Sequence, residues 1–167
     1  MFTKFALQKL NNLRSLRKAF VPIQAKCNFH VTSAIQTSKE SENAGIAAKS
    51  YAENNSAETI FTKIIRKEIP AKIIYEDDVC LAFNDVNPQA PVHFLLIPKT
   101  RIDCLSSSKE TDAQLLGHLM YTAGQLGNSL CPKGFRLVIN NGQEGCQSVY
   151  HLHLHILGGM QCGWPPV

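Results

Sequence analysis

The chain carries one segment whose residue types and spacing suggest chemistry. His151, His153 and His155 alternate with Leu152 and Leu154. Side chains on a strand point to opposite faces in turn, with Cα atoms two residues apart separated by about 6.6–7 Å. A strand over residues 149–157 therefore puts Tyr150, Leu152, Leu154 and Ile156 into a core and lines three imidazoles along the other face. Packing alone does not ask for three histidines in register. Two chemistries fit them. Histidine is the commonest metal ligand, and a strand H-x-H pair can supply part of a zinc site, with His93 as a further ligand. Alternatively, a neutral imidazole is a competent nucleophile near neutral pH, and neighbouring histidines can orient it and stabilise charge on phosphate oxygens. The loop ahead of the strand offers Asn140, Gly142, Gly145, Gln147 and Ser148. Backbone N–H groups, an amide and a hydroxyl are what an anion cradle needs. That loop favours phosphate chemistry over metal or a purely solvated role, without eliminating either.

Elements that could position these groups are legible nearby. Asn55 with Glu58 resembles a capping box, and Ile60, Phe61, Ile64 and Ile65 form one apolar helix face that Pro70 ends. Short strands are expected over 72–76 and 79–83, turning at Asp77-Asp78, and over 92–97, bounded by Pro91 and Pro98. A longer helix over 111–130 sets Leu115, Leu116, Leu119, Ala123, Leu126 and Leu130 on one side. A fourth strand over 135–140 leads into the polar loop. Strands joined by short turns, with helices set apart, predict an α+β fold on an antiparallel sheet.

Charge divides the chain. Residues 1–39 hold seven Lys or Arg and no acid, leaving ten basic and thirteen acidic residues beyond them, a balance of about −3. The folded part therefore lacks the basic surface that nucleic acid binding needs. Within the first twenty residues, Phe2, Phe5, Leu10, Leu13, Leu16 and Phe20 recur among Lys4, Lys9, Arg14, Arg17 and Lys18. A basic amphipathic pattern without acids is the composition of a mitochondrial transit peptide, expected over 1–40. A basic arm or surface-lying helix is the alternative. Residues 41–54 are small and polar and read as a flexible linker, with the domain over 55–167. No apolar run is long enough for membrane insertion. Six cysteines without a C-x-x-C pair suggest reduced packing thiols rather than a disulfide framework.

The stretches IFTKIIRKEIPAKIIYEDDVCLAFNDVNPQAPVHFLLIPK and QSVYHLHLHILGGMQCGWPPV resemble the histidine triad (HIT) superfamily, in particular its histidine triad nucleotide-binding (Hint) branch. The basic leader makes the chain most similar to that branch's mitochondrial member. The resemblance spans roughly Asn55–Val167. It implies the HIT fold, a five-stranded antiparallel sheet with two helices, joined to a second sheet in a homodimer. It implies a purine nucleoside phosphoramidase that hydrolyses adenosine 5′-monophosphoramidate and related AMP–amine or acyl-AMP compounds, with no cofactor or metal.

Carried over residue by residue, His153 matches the nucleophile. His155 matches the contact to phosphate oxygens near the leaving group, His151 the residue that helps orient the nucleophile, and His93 a member of the histidine network. Asn140, Cys146, Gln147 and Ser148 match the phosphate side, with Ser148 also a candidate proton donor. Asp85 matches the ribose carboxylate. Ile60, Phe61, Ile64, Phe83 and Val86 match the slot around the base. Two residues depart from the pattern. Cys146 stands where glycine is usual, so any positive φ there would be strained. Asn84 stands where histidine is frequent. A dinucleoside polyphosphate hydrolase, or a nucleotide-binding adaptor acting through protein partners, are the alternative functions.

Overall fold

A computed structural model describes residues 39–53 and 58–164, and the leader expected over 1–40 lies almost wholly outside them. Among the described residues three α-helices flank one sheet: α1 (Lys39–Glu53), α2 (Ile60–Ile65) and α3 (Ala113–Leu130). The strands are β1 (Ile73–Glu76), β2 (Cys80–Asn84), β3 (Val92–Pro98), β4 (Phe135–Val138) and β5 (Leu154–Gly158). They pair antiparallel throughout in the order β1-β2-β3-β5-β4. The expected five-stranded α+β architecture is thus present. None of the described helices is long and apolar enough to cross a membrane.

Alternation along β2 and β3 divides the core between two faces. Cys80, Ala82, Phe94 and Leu96 turn toward α3, where they meet Leu119, Ala123, Leu154 and Ile156. Leu81, Phe83, Leu95 and Ile97 turn the other way, against Phe61 and Ile64 of α2. Burying each such side chain contributes roughly 1.5–3 kcal/mol, so both faces are held strongly. The α2 face is also the face of His93 and His155.

Three local readings are corrected. Of residues 41–54, read as a linker, 41–53 belong to a helix: Ala44, Ala47, Ala48 and Ala52 favour it, and Glu40 and Glu42 complement the dipole of its first turn. Small residues and scattered charge concealed that helix, because it has only a narrow apolar stripe. The N-cap of α2 is Thr59, whose Oγ1 accepts the Thr62 N–H at 3.2 Å, whereas Asn55 lies outside the described residues. Lastly, the strand expected over 149–157 begins only at Leu154. Residues 149–153 bend instead, with the Leu152 N–H donating to Ile102 O and the His151 N–H to Val149 O. Leu152 still reaches the core, but Tyr150 does not: it stacks on Tyr51 of α1.

Candidate active site

Sheet register brings the central histidines together. His155 pairs with Leu95 on one side and Val138 on the other. His93 sits two residues from Leu95, diagonal to His155 on the same face and within reach of it. The Asp85 N–H donates to His93 O at 3.1 Å, which places the Asp85 carboxylate beside the same pair. His153 precedes β5, and its ring meets the edges of Phe61 and His155, with centroids 5.3 and 5.0 Å away.

Hydrogen bonds then set each tautomer. His153 Nδ1 lies 2.8 Å from the His151 carbonyl, a group that only accepts, so Nδ1 carries the proton and Nε2 keeps its lone pair. His93 Nδ1 accepts the Gln89 N–H at 3.1 Å, so His93 Nε2 is the protonated nitrogen. That nitrogen faces His155 Nδ1 at 3.0 Å and donates to it. His155 therefore bears its proton on Nε2, and this buried atom has no hydrogen-bond partner. Buried donors are nearly always satisfied, so one left open beside the His153 ring is suited to meet a ligand acceptor.

Burial lowers the pKa of all four histidines. For His155 the fall is to about 3, with His153 and His93 adding to the effect of burial. Burial also dominates at His153, against the His151 carbonyl and the charges of Asp85 and Glu40, which raise it. Near neutral pH these rings are uncharged, as a nucleophile and hydrogen-bond donors should be.

His93, His153 and His155 open onto a cavity of about 780 Å³, within the range of small-molecule sites. Of the residues singled out from sequence, His93, His153, His155, Asp85, Asn140, Cys146 and Ser148 line it, as do Ile60, Phe61, Ile64, Phe83 and Val86. Phe61, Ile64 and Phe83 are buried with one side toward the cavity, whereas Ile60 and Val86 are exposed residues at its rim. Asp85 Oδ1 accepts the Asn87 N–H at 2.8 Å, and Oδ2 lies 3.4 Å from His93 Nε2.

Two expectations are corrected here. His151 does not line the cavity. It is fully buried, with Nε2 2.8 Å from Pro98 O and Nδ1 3.5 Å from Thr59 Oγ1, and it acts on His153 through its carbonyl. The bend before β5 turns its ring away, which strict alternation could not foresee. Gln147 is also absent from the lining. Its fully buried amide accepts the Gly142 N–H and donates to Asp103 O and Val149 O, bracing the loop from behind. Asn140 Nδ2 ties the same loop through Cys146 O at 3.2 Å.

Within that loop, a Cβ on Gly145 would fall 2.4 Å from Asn141 O, so only glycine fits. Cys146 has φ 60°, the left-handed region that costs a side chain roughly 1–3 kcal/mol. Sequence reasoning missed Glu40, Asn43, Ile46, Ala47 and Ser50, which also line the cavity. Their signal, a helix-favouring alanine pattern behind acidic residues, was present but weak.

A HIT-domain family model matches residues 66–162, more than half of the chain. The chain belongs to the HIT-domain family. Among curated HIT relatives, an uncharacterised HIT-like protein of Synechocystis is 61% identical over 110 residues, covering 65% of this chain and 96% of its own. The adenylylsulfatase HINT1 of Arabidopsis thaliana is 46% identical over 142 residues, 83% of this chain and 92% of its own. A 14 kDa zinc-binding protein of Brassica juncea is 53% identical over 112 residues, 65% and 99% of the two chains. Among solved structures, a HIT family hydrolase from Legionella pneumophila superposes with a TM-score of 0.64 at 43% identity, covering 66% of this chain and all of its own. The HIT fold and a kinship with HIT hydrolases follow.

One further property of the site bears on metals. Asp85, His93 and His155 each offer a ligand atom, and the three atoms lie within 4.8 Å of one another. His155 Nε2 is not needed for that grouping, since the His93–His155 contact runs through Nδ1.

Proposed function

We propose that this protein hydrolyses AMP amides and related acyl-AMP compounds through a nucleotidyl-histidine intermediate. The observation that carries the reading is the pairing of a free His153 Nε2 lone pair with an unpartnered His155 Nε2–H in one cavity. His153 Nε2 attacks the α-phosphorus. The new N–P bond forms as the P–N bond to the amine breaks, and His153 Nδ1–H stays on the His151 carbonyl, which stabilises the growing positive charge. An amide ion is a very poor leaving group, so the amine departs with a proton delivered through His155 or Ser148. Water then attacks phosphorus, its proton returns to the group that served the amine, and the N–P bond breaks to free His153 and release AMP. Loop N–H groups and Asn140 face the non-bridging oxygens, while Asp85 accepts from the ribose hydroxyls and Phe61, Ile64 and Phe83 hold the purine.

The name of the Arabidopsis relative supports an adenylyl group as the part retained. A zinc reading has its own support in the Asp85–His93–His155 grouping and in the name of the Brassica relative. Turnover of adenosine 5′-monophosphoramidate with a chelator present separates the two. Undiminished hydrolysis is expected, and loss restored by zinc would overturn the metal-free mechanism. A diadenosine polyphosphate measured alongside tests the alternative leaving group, and it should be turned over far more slowly.

We further infer a homodimer and mitochondrial targeting. Strand β4 is a sheet edge, and exposed edges invite pairing. Met120, Tyr121 and Leu130 of α3 are also exposed. Light scattering on the purified protein should return twice the chain mass. A fluorescent reporter fused to residues 1–45 should enter mitochondria, with a diffuse cytosolic signal counting against targeting.

A further inference from the structure

Helix α1 contributes one of its faces to the cavity. Glu40, Asn43, Ala47 and Ser50 recur at intervals of three and four residues, the stripe of a single helix face, and all four line it. The far end of the helix is pinned in place. Tyr51 stacks on Tyr150, with centroids 4.1 Å apart and rings inclined by 10°, and its hydroxyl donates to Asp103 Oδ2 at 3.0 Å. Ala44 is buried beneath the same stretch.

The near end meets the connection between β2 and β3. Asn87 Nδ2 donates to Glu40 Oε1 at 3.4 Å, while the Asn87 N–H donates to Asp85 Oδ1 at 2.8 Å. One asparagine therefore stands between two carboxylates that come from distant parts of the chain. Both carboxylates line the cavity, and among the described residues no Lys or Arg does. Burial lowers the pKa of His93 and of His153, and at both rings the charges of Asp85 and Glu40 oppose that fall. The two acids thus act on the same histidines.

Acceptors in a lining without Lys or Arg suit neutral hydroxyl donors, and a vicinal diol offers two of them. Asp85 has Oδ1 engaged with the Asn87 N–H and Oδ2 3.4 Å from His93 Nε2. A second carboxylate beside it completes the match to two hydroxyls. We propose that Glu40 is a further ribose acceptor, taking one hydroxyl of the vicinal diol beside Asp85 and making the site select ribonucleotides over deoxyribonucleotides. This deepens the nucleotide reading above, in which Asp85 meets the ribose, and rests on it. Glu40 acts at the sugar, so the class of leaving group is untouched. Residue 40 also closes the expected leader, so any cleavage must fall ahead of it for the role to persist.

Calorimetric affinities for AMP and its 2′-deoxy, 3′-deoxy and 2′,3′-dideoxy forms read the sugar contacts without turnover. In the full chain, Glu40→Ala should weaken AMP binding by about tenfold, the lower end of what a hydrogen bond to a charged group contributes, since Glu40 is only partly buried. The loss should disappear for the dideoxy form and for whichever monodeoxy form lacks the hydroxyl that Glu40 meets. Glu40→Gln keeps an acceptor oxygen without the charge and should lose less. Wild-type affinity for AMP in Glu40→Ala, or an equal loss on the dideoxy form, would overturn the role; the equal loss would make Glu40 a prop for α1. The hydrolytic reading fails separately. A wild type that shows the expected sugar pattern but cleaves no AMP amide would overturn that reading and leave the ribose contact standing, whereas no binding of AMP would overturn both.

Discussion

Two histidine–carboxylate clusters occur among the described residues, and they differ in what they leave undone. At the β1–β2 turn, Asp77 Oδ1 accepts the Val79 and Cys80 N–H groups, and Oδ2 accepts from Tyr75 OH, His118 Nε2 and Cys80 Sγ. Burial pushes that carboxyl up, but the bond from His118 and those from Val79 and Cys80 outweigh it and hold it well below the ordinary range. Both Asp77 oxygens are taken up by these bonds, so the cluster fastens the turn to α3. Around Asp85, by contrast, the hydrogen bonds run Gln89 to His93 to His155 and stop at an open donor in a cavity. Similar residues thus serve architecture in one place and await a ligand in the other. An unfinished hydrogen-bond chain, rather than residue type, separates them.

Removing the proposed nucleophile is the most severe way to probe the unfinished cluster. His153→Ala should reduce AMP-amide turnover by at least about 10³-fold, since a covalent step loses its attacking group. Circular dichroism should remain native, because Leu152 and Leu154 still anchor the segment. Retention of substantial turnover would move the nucleophile elsewhere.

Asp85→Ala removes a charged acceptor, and a bond to such a group is worth roughly 1.5–3 kcal/mol, or about a 10- to 160-fold loss in kcat/KM. The loss should nearly vanish with a 2′,3′-dideoxy substrate. Equal losses on both substrates would make Asp85 structural, like Asp77.

The finished cluster predicts the reverse pattern. Asp77→Asn should cost roughly 1.5–3 kcal/mol of stability while kcat/KM changes less than twofold. Its pH dependence follows from sign. The folded-state pKa lies below the ordinary 3.8, so the unfolded chain takes up the proton first and stability is lost as pH falls through about 4 and lower. The cavity histidines act in another window. The pKa values of folded His93, His153 and His155 lie below 6.5, so their contribution is present above 6.5 and is lost as pH falls below it. Denaturant titrations at stepped pH should show both losses in the wild type and only the upper one in Asp77→Asn.

How far this contrast was legible in sequence depends on distance along the chain. His153, His155 and the polar loop lie within sixteen residues and could be read together. The antiparallel sheet followed from short strands expected over 79–83 and 92–97 between turn residues and prolines, whereas the division of the core between its two faces emerged only from the register. What resisted was conformation that alternation does not encode: the bend that turns His151 away, and Gln147 facing into its own loop. His118 gave no sign of Asp77, 41 residues away, because a lone histidine on a helix has no pattern. The N-terminal helix escaped for a different reason, since alanine-rich segments hold little hydrophobic periodicity even when tertiary contacts fix them.

A smaller effect tests the strain in the loop. Cys146→Gly should stabilise the protein by up to about 1 kcal/mol, the left-handed penalty being partly offset by glycine's greater freedom when unfolded. A destabilised variant in thermal melts would mean that the Cys146 side chain makes a compensating contribution.

The central claim is that His153 forms a covalent bond to phosphorus. Mixing enzyme with an AMP amide and quenching within milliseconds in alkaline denaturant, where a phosphorus–imidazole bond survives, allows the intact protein and its peptides to be weighed. The account predicts one added adenylyl group on the peptide containing His153, present with chelator and absent in His153→Ala. Turnover without any adduct, or an adduct mapped to His151, His155 or His93, would contradict it.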